Sequence, residues 1–324
     1  MAKRGSSGIC RVIGINKPVG MSSHDVVNRV RRIYGEKRVG HNGTLDPLAS
    51  GVLIISVGPA TRLNTYLVDH DKRYQMSLVF GTATSTDDKE GEVIQSAPIP
   101  DELFDPLFAD NYISQLVGEH TQIPPRYSAI KVDGKKAYEA ARSGKEIALA
   151  ERAFTIYEAK LNSVDADKET GLLVWHTEFH VSKGTYMRSL ARDIAQELGT
   201  CGHVGDLKRV AVSDVTLDEC VSLEELEDNS LLGCLDPISL LGCAWARVPD
   251  ESAVAHGGTY AASEIEVHQS KELAKNVLPY DNELVALVTD DTLRALYTYN
   301  KHTQQYKPAC VFSQGVYCGS DIYR

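Results

Sequence analysis

The chain holds 324 residues, 43% hydrophobic and 24% charged, a balance that excludes disordered, collagen-like and coiled-coil architectures. No stretch approaches the ~18 uncharged apolar residues of a membrane span; the best, 51–57, stops at Gly58-Pro59. The net charge of −10 is uneven: residues 1–75 hold 12 Lys/Arg against 5 Asp/Glu and residues 214–294 hold 4 against 17, so a cationic surface for nucleic acid stays open.

Residues 9–15 read as a strand, ended by Asn16-Lys-Pro-Val-Gly20. Ser22 and Asp25 then form a capping box, the hydroxyl accepting an orphan N–H and the carboxylate reaching back. Val26, Val27, Val30, Ile33 and Tyr34 recur at helical spacing until Gly35, with Arg29, Arg31 and Arg32 largely off that stripe. A glycine-punctuated loop over 39–51 leads into an apolar strand at 52–57. A short helix near 59–68 and a strand at 73–80 come next. Residues 101–116 read as helix. Asp133-Gly134 signals a turn between Lys131 and Lys135, and 136–143 reads as one or two helical turns. Strands near 153–163 and 172–182, a helix at 185–198 and a strand near 207–213 follow. Strands and helices mix without strict alternation, so the expected class is α+β rather than a doubly wound sheet. Beyond 245 short β-like runs (284–288, 293–299, 309–312) are separated by turn residues, as in a small barrel or sandwich. The expected domains are 1–244 and 245–324.

Lys3 and Arg4 have no apolar segment behind them, so no secretory signal is expected. The seven cysteines are odd in number and scattered, without a Cys-x-x-Cys. They read as reduced thiols of a cytoplasmic protein rather than a disulfide frame or zinc site. His176 and His180 lie in an expected strand, too far apart to chelate, so no metal is expected there. No glycine-rich phosphate cradle carries the required Lys-Ser/Thr, so no nucleotide cofactor is implied.

The segment Gly40-His-Asn-Gly-Thr-Leu-Asp-Pro-Leu-Ala-Ser-Gly51 concentrates the chemistry. Its glycines permit close backbone approach to a ligand, and Pro47 keeps Asp46 extended. A carboxylate on a loop feeding a buried strand can be fixed while its oxygens face a cleft. An Asx turn accounts for the same residue. Local pattern leaves both open.

The blocks Ile15-Asn-Lys-Pro-Val-Gly-Met-Ser-Ser23, Val39–Leu53, Asp71-Lys-Arg-Tyr74, Gln122-Ile-Pro-Pro-Arg-Tyr-Ser-Ala-Ile-Lys131 and Ser182-Lys-Gly-Thr-Tyr-Met-Arg188 make residues 10–215 resemble the tRNA pseudouridine synthase B (TruB) family. The resemblance implies a mixed, largely antiparallel sheet with flanking helices. It also implies isomerisation of uridine to pseudouridine at position 55 in the tRNA T loop. By the same resemblance Asp46 is the catalytic carboxylate, Tyr74 and Arg188 its catalytic partners, and His41 organises the flipped-out nucleotide. Leu207 matches an apolar pocket residue. Tyr74 is expected to stack on the uracil, and Arg188 to keep Asp46 charged through paired hydrogen bonds. Taken singly, Tyr74 fits a half-buried strand residue, Arg188 a surface helix residue and His41 a loop hydrogen-bonder. Asn42 and Ser50 stand where Thr is usual, and Asn42 is expected to change how the loop hydrogen-bonds to RNA.

Cations available for RNA phosphates are Arg31, Arg32, Lys131 and Lys208, with Arg29, Lys37, Arg38, Lys135, Lys136 and Arg142. Residues 133–136 read either as an insertion finger against the T arm or as a solvated hairpin tip. The expected partner is tRNA, with a monomeric chain, no cofactor and no obligatory protein partner. The tail weakly resembles a PUA-type RNA-binding domain. Two further readings stay open: a tRNA-folding chaperone, and a pseudouridine synthase for another RNA.

Overall fold

The computed structural model describes residues 7–125, 127, 131–132, 135–136, 149–167, 169, 171–248, 250–268 and 281–319. The chain divides into two units, one taking Met1–Asp46, Val52–Asp69 and Asp214–Arg324, the other Pro47–Gly51 and His70–Ser213. Both mix strands and helices, as the α+β expectation requires.

In the first unit β1 (Arg11–Lys17) leads through the turn 18–21 into α1 (Ser23–Tyr34). Ser22 caps α1, and both arms of its box with Asp25 form. Val26, Val27, Val30 and Tyr34 are buried, each valine contributing about 1.5–3 kcal/mol as an upper bound. Gly35 ends the helix at φ 60, a left-handed position that glycine enters without strain. β2 (Val39–Asn42) pairs antiparallel with β3 (Ala49–Val57), Val39 opposite Val57. The expected loop over 39–51 is therefore shorter. Its start is strand because Val39 is buried and β3 offers the partners its backbone needs. Later in this unit, strands Leu284–Thr289, Thr292–Asn300 and Gln305–Tyr317 form an antiparallel meander, with Ala244–Arg247 parallel to the first. Tyr260, Tyr297, Tyr299 and Tyr306 pack with Val285 and Leu287 in its core.

In the second unit β4 (Lys72–Phe80) is central. The strands that build its sheet around β4 are β5 (Gly118–Gln122), β6 (Arg152–Asp167), β7 (Leu172–Val181) and β8 (Gly202–Val212). β4 pairs antiparallel with β7 and β8, β7 with β6, and β6 with β5. β8 also runs parallel to Ala49–Gly51, the opening of β3. Gly51, at φ 107, permits this approach, since a Cβ there would lie 2.1 Å from the Arg209 carbonyl oxygen.

The expected helix at 101–116 breaks at Pro106. Asp105 caps α2 (Pro106–Gln115), its Oδ1 accepting the Leu107 N–H at 2.9 Å. Trp175 fills the core beneath, its Nε1 donating to the Leu103 carbonyl at 3.0 Å. α3 (Met187–Glu197) packs on β8. Lys131–Val132 pairs antiparallel with Lys135–Lys136, so residue 136 of the helical turns expected over 136–143 is strand; the expected turn residues 133–134 and the rest of those helical turns lie outside the described residues. No helix among the described residues is long and apolar enough to cross a membrane.

Candidate active site

Asp46 ends a loop that α1 holds from behind. Ser23, the first residue of α1, is buried, and its Oγ accepts the Leu45 N–H at 2.8 Å and donates to the Leu45 carbonyl at 2.9 Å. Leu45 is itself buried and Pro47 follows Asp46, so the residue before the carboxylate has both backbone groups fixed. Asp46 is half-buried, as is His41 in β2. Asn42 turns inward: it is 4% exposed, and its Nδ2 donates to Ser56 Oγ at 3.3 Å.

Tyr74 and Leu207 share one face of the second unit's sheet. Tyr74 is registered against Arg209 and Phe179, and Leu207 against Met76 and Ala49. Residues two apart on a strand face the same way, so Tyr74, Met76, Leu207 and Arg209 line one buried surface. Ala49, three residues after Asp46, pairs directly with Leu207. Lys208 lies on the opposite face, exposed beside Gln75 and Ser50, apart from Tyr74 and Leu207. Arg209, 1% exposed, is the buried cation of that strand.

Arg188 is a buried residue of α3, not the surface helix residue that its type alone suggests. Its Nη1 donates to the Thr86 carbonyl at 3.0 Å and its Nη2 to the Tyr127 carbonyl at 2.9 Å. Asp88 Oδ2 lies 3.7 Å from Nη1, with both side chains almost fully buried. Asp88 is fixed in turn, its Oδ1 accepting from Thr86 Oγ1 at 2.5 Å and the Glu90 N–H at 3.1 Å. Sequence reasoning missed Asp88, and the polar run Thr84-Ser-Thr-Asp-Asp-Lys-Glu-Gly91 was the available signal. It also missed Arg192, four residues after Arg188 and so on the same helical face.

The first unit's cations separate into engaged and available ones. Arg29 is bound by Glu224 at 3.0 Å and Glu227 at 2.8 Å, which removes it from the phosphate-binding set. Arg31 and Arg32 line an open notch of about 370 Å³ with Gly35, Glu36 and Lys37. Arg31 donates to Asn28 Oδ1 and the Val39 carbonyl, while Arg32 and Lys37 are exposed. Burial would raise the Glu36 carboxyl, but the Arg38 and Ser7 N–H groups and the Arg38 charge hold it below the ordinary range. Lys131 lies in the short hairpin, its side chain and all of Arg142 outside the described residues. The two strand histidines have separate partners: His176 meets Asp165 at 2.9 Å and Ser77 at 3.1 Å, and His180 pairs with Asp71.

Residues 31–187 match the model of the TruB family pseudouridylate synthase N-terminal domain, and 188–236 that of the tRNA pseudouridylate synthase B C-terminal domain. The tRNA pseudouridine synthase B of Streptococcus pneumoniae is 36% identical over 309 residues, spanning 93% of this chain and 99% of its own length. The chain belongs to the TruB family. Another TruB relative, the tRNA pseudouridine synthase B of Caldanaerobacter subterraneus, is 45% identical over 218 residues, covering 67% of this chain and 74% of its own. Among solved structures, an H/ACA ribonucleoprotein bound to a substrate RNA containing 2′-deoxyuridine has the same fold. It aligns at a TM-score of 0.65 with 21% identity, over 94% of this chain and 85% of that one. As a TruB protein the chain is a pseudouridine synthase, an isomerase. The boundary between the two TruB models falls inside α3, at the residue before Arg188.

Proposed function

We propose that this isomerase converts uridine to pseudouridine at position 55 in the T loop of tRNA, with Asp46 as the reacting carboxylate. The observation that carries the proposal is the clamp on Leu45, which fixes the backbone immediately before a half-buried Asp46.

The reaction is an internal exchange. The N1–C1′ bond breaks, the uracil turns, C5 bonds to C1′, and C5 loses a proton while N1 gains one. A stacked uridine must first be extruded, at a cost of a few kcal/mol. Unlike a glycoside hydrolase, which needs an acid for the leaving group and a base for water, this exchange releases nothing. One carboxylate therefore suffices. Asp46 acts either by attacking the nucleoside covalently or by taking the C2′ proton to give a glycal. Arg188 supplies the positive charge that favours the ionised carboxylate. Tyr74 stacks on the uracil and carries the C5 proton, Leu207 forms the apolar wall beside it on the same sheet face, and His41 orders the flipped nucleotide. A dry, apolar wall keeps water from the broken glycosidic bond.

Arg31, Arg32, Lys131 and Lys208 hold RNA phosphates in this proposal, and the segment 245–324 serves as a PUA-like RNA-binding domain. The enzyme works as a cytoplasmic monomer without cofactor or protein partner. The test is to incubate an unmodified tRNA transcript with wild-type and Asp46→Asn proteins and to map pseudouridine by site. The wild type is expected to modify the T-loop uridine and the variant none. Near-normal conversion by Asp46→Asn would refute the mechanism.

A further inference from the structure

We infer that Asp87 and Arg192 are positioning residues: they form a second arginine–aspartate strut, one helical turn from Arg188, that holds the loops orienting its guanidinium. The inference rests on the catalytic role proposed above for Arg188.

Arg188 and Arg192 are four residues apart on α3 and project from one face. Each spans the same two segments of the second unit. Arg188 takes the Thr86 carbonyl and Asp88 on one side and the Tyr127 carbonyl on the other. Arg192 places Nη1 3.2 Å from Asp87 Oδ2 and donates from Nη2 to the Ile123 carbonyl at 2.9 Å. Ser189, between them, donates to the same Ile123 carbonyl at 2.8 Å. Arg192 Nε also donates to Asp193 Oδ1 at 2.9 Å, which fixes the plane of its guanidinium from its own helix. A single arginine bridge leaves two segments able to rotate about it. A second bridge one turn along removes that freedom.

The turn itself is built for this contact. Asp87 has φ 60, a region that residues other than glycine rarely adopt and that Asp and Asn tolerate best. Its carbonyl accepts the Val204 N–H at 3.1 Å, and the Lys89 N–H donates to the Val204 carbonyl at 2.9 Å, so the backbone is held from both sides. In this conformation the carboxylate reaches Arg192. Burial pushes the Asp87 carboxyl above its ordinary range, and the charges of Arg192 and Arg188 work against that rise. A guanidinium that must stand beside a reacting carboxylate is sensitive to small displacements of its supports.

The test measures single-turnover pseudouridine formation by the full chain at saturating unmodified tRNA transcript, alongside tRNA affinity and thermal stability. Asp87→Asn keeps the tolerance for positive φ and removes the charge; Arg192→Gln removes the other partner. Each is expected to slow the single-turnover step about tenfold while tRNA Kd stays within about twofold. The double variant is expected to be no slower than either single, and Arg192→Lys to recover part of the loss. Arg188→Lys, measured in parallel, is expected to be inactive. Should Arg188→Lys retain full rate, the reading of Arg188 fails and the strut falls with it. Should Arg188→Lys be inactive while Asp87→Asn and Arg192→Gln keep the wild-type rate, the strut alone is overturned. A loss of thermal stability with an unchanged rate, or additive losses in the double variant, also overturns it. If Arg192→Gln does not fold, Asp87→Asn decides by the same criteria.

Discussion

Replacing Ser23 with alanine removes one oxygen that makes two hydrogen bonds, both to Leu45 and both buried. The Leu45 N–H and carbonyl then lose their partner in a buried site. Each such loss costs about 1–2 kcal/mol, so the variant should be destabilised by about 2–4 kcal/mol and melt about 4–10 °C lower. The more telling effect is on rate. Leu45 is covalently joined to Asp46, and a displacement of about 1 Å in a reacting group can cost about 100-fold. Pseudouridine formation, followed by release of tritium from C5-labelled uridine in a tRNA transcript, should slow by at least about tenfold at saturating tRNA. Affinity for tRNA should change little, because Ser23 is buried. A variant that melts lower but turns over at the normal single-turnover rate would refute the claim that this clamp places Asp46.

Gly51→Ala should fail to fold or lose well over about 3 kcal/mol, since its Cβ would meet the Arg209 carbonyl at 2.1 Å; circular dichroism melting checks this. Asp88→Ala leaves the buried Arg188 short of a compensating charge and should cost about 3–5 kcal/mol, read by urea denaturation. Arg32→Ala should weaken tRNA binding and lower the salt slope of log K by about one, whereas Arg29→Ala should leave the slope unchanged because Glu224 and Glu227 already neutralise it. The Glu36 carboxyl is held below its ordinary value of 4.5, so its contribution is full above that pH and is lost as pH falls through the lowered value. Glu36→Gln should therefore flatten the acid limb of the stability–pH profile below about pH 4.5, measured by melting across a pH series.

The chain's own sequence determined whatever depends on neighbours a few residues away. The capping box at Ser22 and Asp25, the valine stripe of α1 and its stop at Gly35 are all local, and each stands where it was expected. The family blocks are local as well, which is why the pseudouridine synthase resemblance was legible. Two expectations failed at strand and helix ends, at 39–42 and at Pro106, where a partner strand or a proline overrides the surrounding pattern. Tertiary structure alone decided the charges. Arg29 meets Glu227 across 198 residues, and nothing local distinguishes it from Arg32. Asp88 was one acid among many until the fold buried it against Arg188, and Asn42 one polar loop residue until it faced Ser56. Capping and periodicity act over one turn of chain. An ion pair depends instead on which distant surfaces the folded backbone brings within hydrogen-bonding reach and shields from water.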